Sequence, residues 1–283
     1  MLAFLIKISA IIAEGDFVTA PSLQLSANLS FLFTDSPFEE RFARAARAGF
    51  RGVEYMFPYA CDARELSRLL REHRLQQVLH NLPAGDWDAG ERGIACLPGR
   101  ESEFREGVEQ GIHYARQLGC PQLNCLAGVP PDAVPAETVR ETFKDNLRHA
   151  AGRLAGNGIR LLIEPINSRV DVPGFWLDTP SKATALMAEM AEENLWLQYD
   201  IYHAQIMEGD LARTIEANVD RIAHVQLADN PGRHEPGSGE INYPFLFTLL
   251  HRLGYRGWLG CEYRPLLPDT DSGLAWASAW LGR

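Results

Sequence analysis

A single-domain (β/α)8 TIM barrel of the α/β class is the fold this sequence predicts, on three observations. Short apolar, β-branched runs alternate with longer segments of helical period from Leu23 to the end of the chain. Eight such units fit within about 260 residues, the ordinary span of one barrel. No strand–helix turn carries G-x-G-x-x-G or a phosphate-binding loop, so an open nucleotide-binding sheet lacks support. Alternation of this kind implies parallel strands joined by helical crossovers. No linker rich in Gly, Ser or Pro interrupts the pattern, so residues 23–283 read as one domain.

The elements follow in order. A first strand fits 23–30. Residues 37–48 form a helix with Phe38, Phe42, Ala45 and Ala46 on one stripe and Gly49 as its stop. A second strand covers 52–56, and a helix over 63–72 lines up Leu66, Leu69 and Leu70. The third strand, 76–82, leads into a long loop over 83–99. A helix over 101–118 turns Phe104, Val108 and Ile112 inward and closes at Gly119, before a fourth strand at 122–126. The rhythm repeats with a helix at 136–155, a strand at 159–164, and a helix at 180–193 capped by Thr179. A strand at 195–200, a short helix at 210–218 and a strand at 222–227 come next. A helix at 243–253, a last strand at 258–262 and a short closing helix at 272–281 complete the chain.

Composition narrows the function classes. The 283 residues are 46% hydrophobic and 23% charged, as in a folded globular chain, with a net charge of −10. That charge argues against binding nucleic acid, which needs a basic surface, and against docking on an anionic membrane. The five cysteines are scattered, with no C-x-x-C pair, which suits reduced thiols in a cytoplasmic protein. Residues 1–22 hold a short apolar run, 8–13, behind Lys7; it resembles a weak signal peptide and is too short to span a bilayer. We expect 1–22 to be an N-terminal extension outside the fold, an upstream start codon being one origin for it.

In a barrel of this kind the active site lies at the C-terminal ends of the strands. Four consecutive strands end in an oxygen-bearing side chain: Glu164 in LLIEPIN, Asp200 in LWLQYDIYH, Gln226 in HVQLADN and Glu262 in GCEY. Side chains alternate faces along a strand. If Glu164, Gln226 and Glu262 face inward, then Leu162, His224 and Gly260 do too, while Leu161, Ile163, Leu259 and Cys261 face the helices. Three carboxylates in one barrel mouth repel one another by several kcal/mol at moderate dielectric, so something positive must hold them. Three carboxylates and an amide oxygen suit a hard divalent ion, Mg²⁺ or Mn²⁺, better than Zn²⁺. Any one of these acids alone is more simply a solvated strand end; four on adjacent strands favour the metal.

Other polar residues sit near the same mouth: His203 three residues beyond Asp200, His80 and Asn81 ending strand three, and Glu54 ending strand two. Arg233 lies in the Gly/Pro-rich stretch NPGRHEPGSGEIN, Asn167 follows Glu164 by three, and Arg92 shares the long loop with Trp87. Each has a routine capping or surface explanation. We take His203, Arg233, His80 and Glu54 as the candidate substrate-binding residues. The long loop reads as a lid, or as a wall packed by Phe57 and Trp87.

At these residues the chain resembles the hydroxypyruvate isomerase family of xylose-isomerase-like TIM barrels. The stretches that carry it include LQLSANLSFLF, GFRGVEYMFPY, HNLPAGDWDAGERGIACLPGR, LLIEPIN, QYDIYHAQIMEG, HVQLADNPGRHEPGSGEINY and GWLGCEY. The long-loop motif is more specific than any ligand spacing. The resemblance implies metal ligation by Glu164, Asp200, Gln226 and Glu262, with Glu164 and Glu262 as the proton-transfer pair. More distant ketose epimerases usually have His where Gln226 stands. The expected reaction converts hydroxypyruvate to 2-hydroxy-3-oxopropanoate through an enediolate, with Arg233 and His203 holding substrate oxygens. The runner-up is isomerisation of 2-oxo-tetronate, or isomerisation or epimerisation of another sugar acid or ketose; a sugar-acid-binding protein without catalysis comes last. Homo-oligomerisation is left open.

Overall fold

Parallel pairing runs right round the sheet and closes it. The strands β1 (Gln24–Asn28), β2 (Gly52–Glu54), β3 (Gln76–Asn81), β4 (Gln122–Cys125), β5 (Arg160–Ile163), β6 (Leu195–Asp200), β7 (Ile222–Leu227) and β8 (Trp258–Cys261) pair in sequence order, and β8 pairs β1. This computed structural model describes residues 23–282; the reading of 1–22 as an extension lies outside the described residues. The crossover helices are α1 (Phe38–Arg47), α2 (Ala63–Glu72), α3 (Glu101–Leu118), α4 (Ala136–Ala155), α5 (Pro180–Met190), α6 (Ile201–Met207), α7 (Leu211–Asn218) and α8 (Tyr243–Arg252). A 3₁₀ turn, Asp271–Ala277, and α9 (Ser278–Leu281) end the described chain where a single helix is expected from sequence.

The helices begin and stop where side-chain chemistry directs. Asp62 caps α2 through the amides of Arg64 and Glu65, and Thr179 caps α5 through that of Lys182. Gly119 ends α3 at φ +66°, a left-handed position that a Cβ disfavours. Helix α6 has no counterpart in the sequence reading. It starts on the residue after β6 with no linker, because Asp200 is both the end of the strand and the cap: its Oδ1 accepts from Tyr202 N at 2.7 Å and His203 N at 3.1 Å.

Two apolar layers sandwich the barrel wall. The outer one is the main core, in which Leu161, Ile163, Val225, Leu259 and Cys261 meet the helices. The inner one is small: Val78, Leu79, Leu162 and Ala223, with Trp196 and Trp258 packed against it. Above this plug the barrel interior turns polar. Register puts Asp200 beside Gln226 and Gln226 beside Gly260, so the ends of β6, β7 and β8 share one level. Among the described residues no helix is long and apolar enough to cross a membrane, and the five cysteines are free thiols.

Candidate active site

The polar end of the barrel opens into a cavity of about 290 Å³ lined by Glu54, Glu164, Gln226, Glu262, His203 and Arg233, among others. Asp200 is 2% exposed and lies behind the wall, next to the lining residues Glu164 and His203. One oxygen of Asp200 is spent capping α6, and the other, Oδ2, is buried without a hydrogen-bond partner. Glu164, Asp200 and His203 offer ligand atoms that all lie within 4.8 Å of one another. A buried, orphaned carboxylate oxygen beside a second carboxylate is an arrangement that a divalent cation satisfies.

The tautomer of His203 follows from its neighbour. Asn167 Oδ1 accepts from the amides of Val170 and Asp171, both at 2.9 Å, which fixes the carboxamide and makes Nδ2 its donor edge. That Nδ2 stands 2.7 Å from His203 Nδ1, so Nδ1 is the acceptor and the ring proton sits on Nε2. Burial pushes the imidazole pKa down to about 4, so the ring is neutral at neutral pH. His203 Nε2 lies 3.8 Å from Asp200 Oδ2, beyond hydrogen-bond distance, so its proton is not spent on that carboxylate. In this tautomer it is suited to hold a substrate oxygen rather than a metal.

The two candidate proton-transfer residues differ in surroundings. Glu164 is engaged through Oε2, which accepts from Asn124 Nδ2 at 2.7 Å. Burial first, then the charges of Glu262 and Asp200, push its carboxyl well above the ordinary range, with Arg233 opposing. Glu262 uses both oxygens: Oε1 accepts from Arg233 Nη2 at 2.8 Å, and Oε2 from Asn28 Nδ2 at 2.8 Å and Gln226 Nε2 at 2.7 Å. Burial pushes it up to about 8, against the pull of Arg233. Arg233 holds Asp171 with its other arm, Nη1 to Oδ1 at 3.0 Å, and remains charged because its acidic neighbours outweigh burial. Its backbone is left-handed, φ +54°, and its amide is anchored on the Asp229 carbonyl at 2.8 Å.

Gln226 is turned differently from the sequence expectation of an amide oxygen aimed at an ion. Its Nε2 bridges Glu262 Oε2 and Glu54 Oε1, at 2.7 and 2.9 Å, and its Oε1 accepts from Gln198 at 2.6 Å. Two anionic oxygens flanking the amide favour its NH₂ edge, since each bond is charge-assisted. Glu54 lies beneath as a support. Ser26 Oγ donates to it at 2.6 Å and His224 Nε2 lies 2.9 Å away. Burial opposes its charge, but the nearby His224 and the hydrogen bonds from Gln226 and Ser26 hold its carboxyl below the ordinary value. His80 is a correction. Its neighbours Leu79 and Asn81 line the cavity, so by alternation His80 points outward, where its ring meets Tyr59 at 6.1 Å. Burial there lowers its pKa to about 3.

The profile of the family described as xylose isomerase-like TIM barrel matches residues 42–280. The chain belongs to this family. Escherichia coli (strain K12) hydroxypyruvate isomerase is 52% identical over 254 residues, 90% of this chain and 98% of that protein. The 2-oxo-tetronate isomerase of Cupriavidus necator is 44% identical, over 92% of this chain and 99% of that protein. A crystal structure described as an AP endonuclease, family 2, from Brucella melitensis superposes with TM-score 0.89 at 48% identity, covering 91% and 99% of the two chains. This xylose isomerase-like barrel is an enzyme of the isomerase class.

Within that barrel the sequence reading missed Asn28, the last residue of β1, and Asn124, the last but one of β4, which reach Glu262 and Glu164. The strand-end rule finds Asn28, and Asn124 faces inward beside Leu162, its partner on β5. Asp171 had no such signal: it sits in a loop and meets Arg233 across 62 positions.

Proposed function

We propose that this chain, a keto-acid isomerase, interconverts hydroxypyruvate and 2-hydroxy-3-oxopropanoate. The observation that carries the reading is that Glu164 and Glu262, delivered by β5 and β8, border one small buried cavity with Gln226, His203 and Arg233. One carboxylate takes a proton from the hydroxymethyl carbon of hydroxypyruvate, and the other delivers one to the neighbouring carbonyl carbon. The hydroxyl proton shifts to the former ketone oxygen, so atoms balance without an oxidant. His203 donates from Nε2 to a substrate oxygen. Asn28, Gln226 and Arg233 hold Glu262, and Asn124 holds Glu164, so both acids keep their aim.

Glu164 and Asp200 are the donors we assign to a divalent ion, Mg²⁺ or Mn²⁺; Glu262 and Gln226, the rest of the set the resemblance implies, would have to release their present hydrogen bonds to join them. When bound, such an ion would supply Lewis-acid stabilisation of the negative charge that develops on the reacting acid.

Isomerisation of a four-carbon 2-oxo acid is the second reading. A further cavity of about 620 Å³ shares Phe31, Met56 and Arg264 with the inner one, leaving room for one more carbon. Phosphodiester cleavage is disfavoured by the net charge of −10, since duplex binding rests on phosphate neutralisation. The test is deuterium exchange from solvent into hydroxypyruvate, followed by NMR with Mg²⁺ and with chelator. Exchange and aldehyde formation that stop on chelation support the proposal. Binding without exchange sinks it. A panel of three- and four-carbon acids scored by kcat/KM separates the two isomerase readings.

A further inference from the structure

Arg233 is the obvious cation for an acidic substrate, yet both its arms are taken, by Glu262 and Asp171. The cavity wall carries two other guanidiniums, Arg92 and Arg264. Arg264 is exposed, and among the described residues its backbone alone is held, by bonds to Arg233 O and His234 Nδ1. Arg92 is built in. Its guanidinium stacks on the Trp87 ring, 4.1 Å from the centroid. Its Nη1 donates to the carbonyls of Trp87 at 3.0 Å and Glu91 at 2.8 Å. Among the described residues no carboxylate lies within ion-pair distance of it.

The loop around Arg92 is tied to its surroundings at several points. Glu91 turns its carboxylate inward, accepting from Asp86 N at 2.6 Å and pairing with Arg100 at 2.5 Å. Gly93 and Gly128 lie back to back: a Cβ on Gly93 would sit 2.4 Å from Leu126 O, and one on Gly128 2.3 Å from Gly93 O. Cys96 N donates to Ala127 O at 2.9 Å, and Asn146 Nδ2 to Ala95 O at 2.9 Å. These ties bind residues 93–96 of the loop to the segment after β4 and to α4, and they place Arg92 next to an anchored stretch.

We propose that Arg92, immobilised on Trp87 at the cavity wall, receives the substrate carboxylate and is the residue that makes this barrel select a hydroxy-keto acid over the neutral ketose of equal length. The inference deepens the reading above and rests on it for the acid's identity. A planar fork already held by stacking and two carbonyls loses little freedom when it grips a carboxylate. Glu54, Glu164, Asp171 and Glu262 line the same cavity and repel an anion, so a built-in guanidinium that those carboxylates have not claimed favours an acid over a neutral ketose.

The experiment compares Arg92→Gln, Arg92→Lys and Arg264→Gln on hydroxypyruvate and on dihydroxyacetone, which carries a hydroxymethyl in place of the carboxylate. We expect Arg92→Gln to lower kcat/KM for hydroxypyruvate by roughly 100-fold, mostly through KM, and to leave the value for dihydroxyacetone within about threefold. Arg92→Lys keeps charge without the stacked fork and falls between. Isothermal titration with glycerate, an acid that cannot isomerise, gives a second readout: wild type binds it over glycerol, and Arg92→Gln does not. Equal losses on both substrates, or a charge-selective loss in Arg264→Gln instead, overturn the proposal. Should wild type bind glycerate through Arg92 and turn over no keto acid, the anion site stands and the isomerase reading falls.

Discussion

Gly260 is the sharpest place to test how the site is held together. Its backbone is not left-handed, so the missing side chain alone matters. A Cβ there would lie 2.4 Å from Glu54 Oε1 and 2.7 Å from its Cδ. Relaxed non-bonded contacts sit near ~3.5 Å, so in Gly260→Ala the carboxylate must retreat by roughly 1 Å. It has little room, being fixed by Ser26 at 2.6 Å, His224 at 2.9 Å and Gln226 at 2.9 Å. Overpacking of this kind costs about 1–3 kcal/mol. For a chain of this size that is a fall in Tm of roughly 2–12 °C. The displacement also reaches chemistry, because Gln226 Nε2 bridges Glu54 and Glu262. A 1 Å misplacement of a reacting group costs on the order of 100-fold in rate. Thermal melts and kcat/KM on Gly260→Ala, Glu54→Asp and the double variant form the assay. The shorter acid makes space for the new methyl, so the double variant should be more stable than the sum of the single losses by about 1 kcal/mol or more. Strict additivity, or a Gly260→Ala protein with unchanged Tm and rate, would refute the argument.

Three further outcomes follow from the same geometry. Glu262→Gln should fold and lose at least ~1000-fold in kcat; survival of isomerisation near the wild-type rate, with metal content measured alongside, would remove the two-carboxylate scheme. Asn167→Asp replaces a donor with an acceptor at His203 Nδ1, so ¹⁵N spectra should show the ring proton on Nε2 in wild type and a protonated Nδ1 in the variant; a protonated Nδ1 in wild type contradicts the assigned tautomer. His80 is neutral in the folded state down to a pKa of about 3, against 6.5 ordinarily, so its burial favours folding above pH 6.5 and that contribution drains away as pH falls. The loss runs at about 1.4 kcal/mol per pH unit, so between pH 6.5 and 4.5 His80→Leu should lose roughly 2–3 kcal/mol less stability than wild type in urea melts; parallel pH profiles would count against a buried neutral imidazole.

The barrel was legible because its signal is periodic and local. Apolar runs such as Ile222–Leu227 and helical stripes such as Leu66, Leu69 and Leu70 each announce one element, and eight in alternation leave one economical closure. Helix α6 escaped because its start signal, Asp200, also reads as the polar end of a strand. His80 misled for a related reason: it is polar and stands at a strand end, but it has the wrong parity, and a neighbour, Asn81, takes the inward position. The register irregularity between β2 and β3, at Val53/Glu54, shows why counting from sequence alone loses track of faces there.

What the sequence could not show is how each acid divides its two oxygens, and this division is what separates the roles at the site. Glu164, Asp200 and Glu262 look alike as strand-end carboxylates. In the folded chain Asp200 gives one oxygen to a helix cap and leaves the other without a partner. Glu164 gives one to Asn124, and Glu262 gives both, one of them to a guanidinium. A carboxylate with a guanidinium and two amide donors on it resists protonation more than one with a single amide donor beside two other acids. The two flanking acids are therefore unequal before any substrate arrives, and acid and base work can be shared between them by environment, through partners that lie on β1, β4, β7 and the loop after β7.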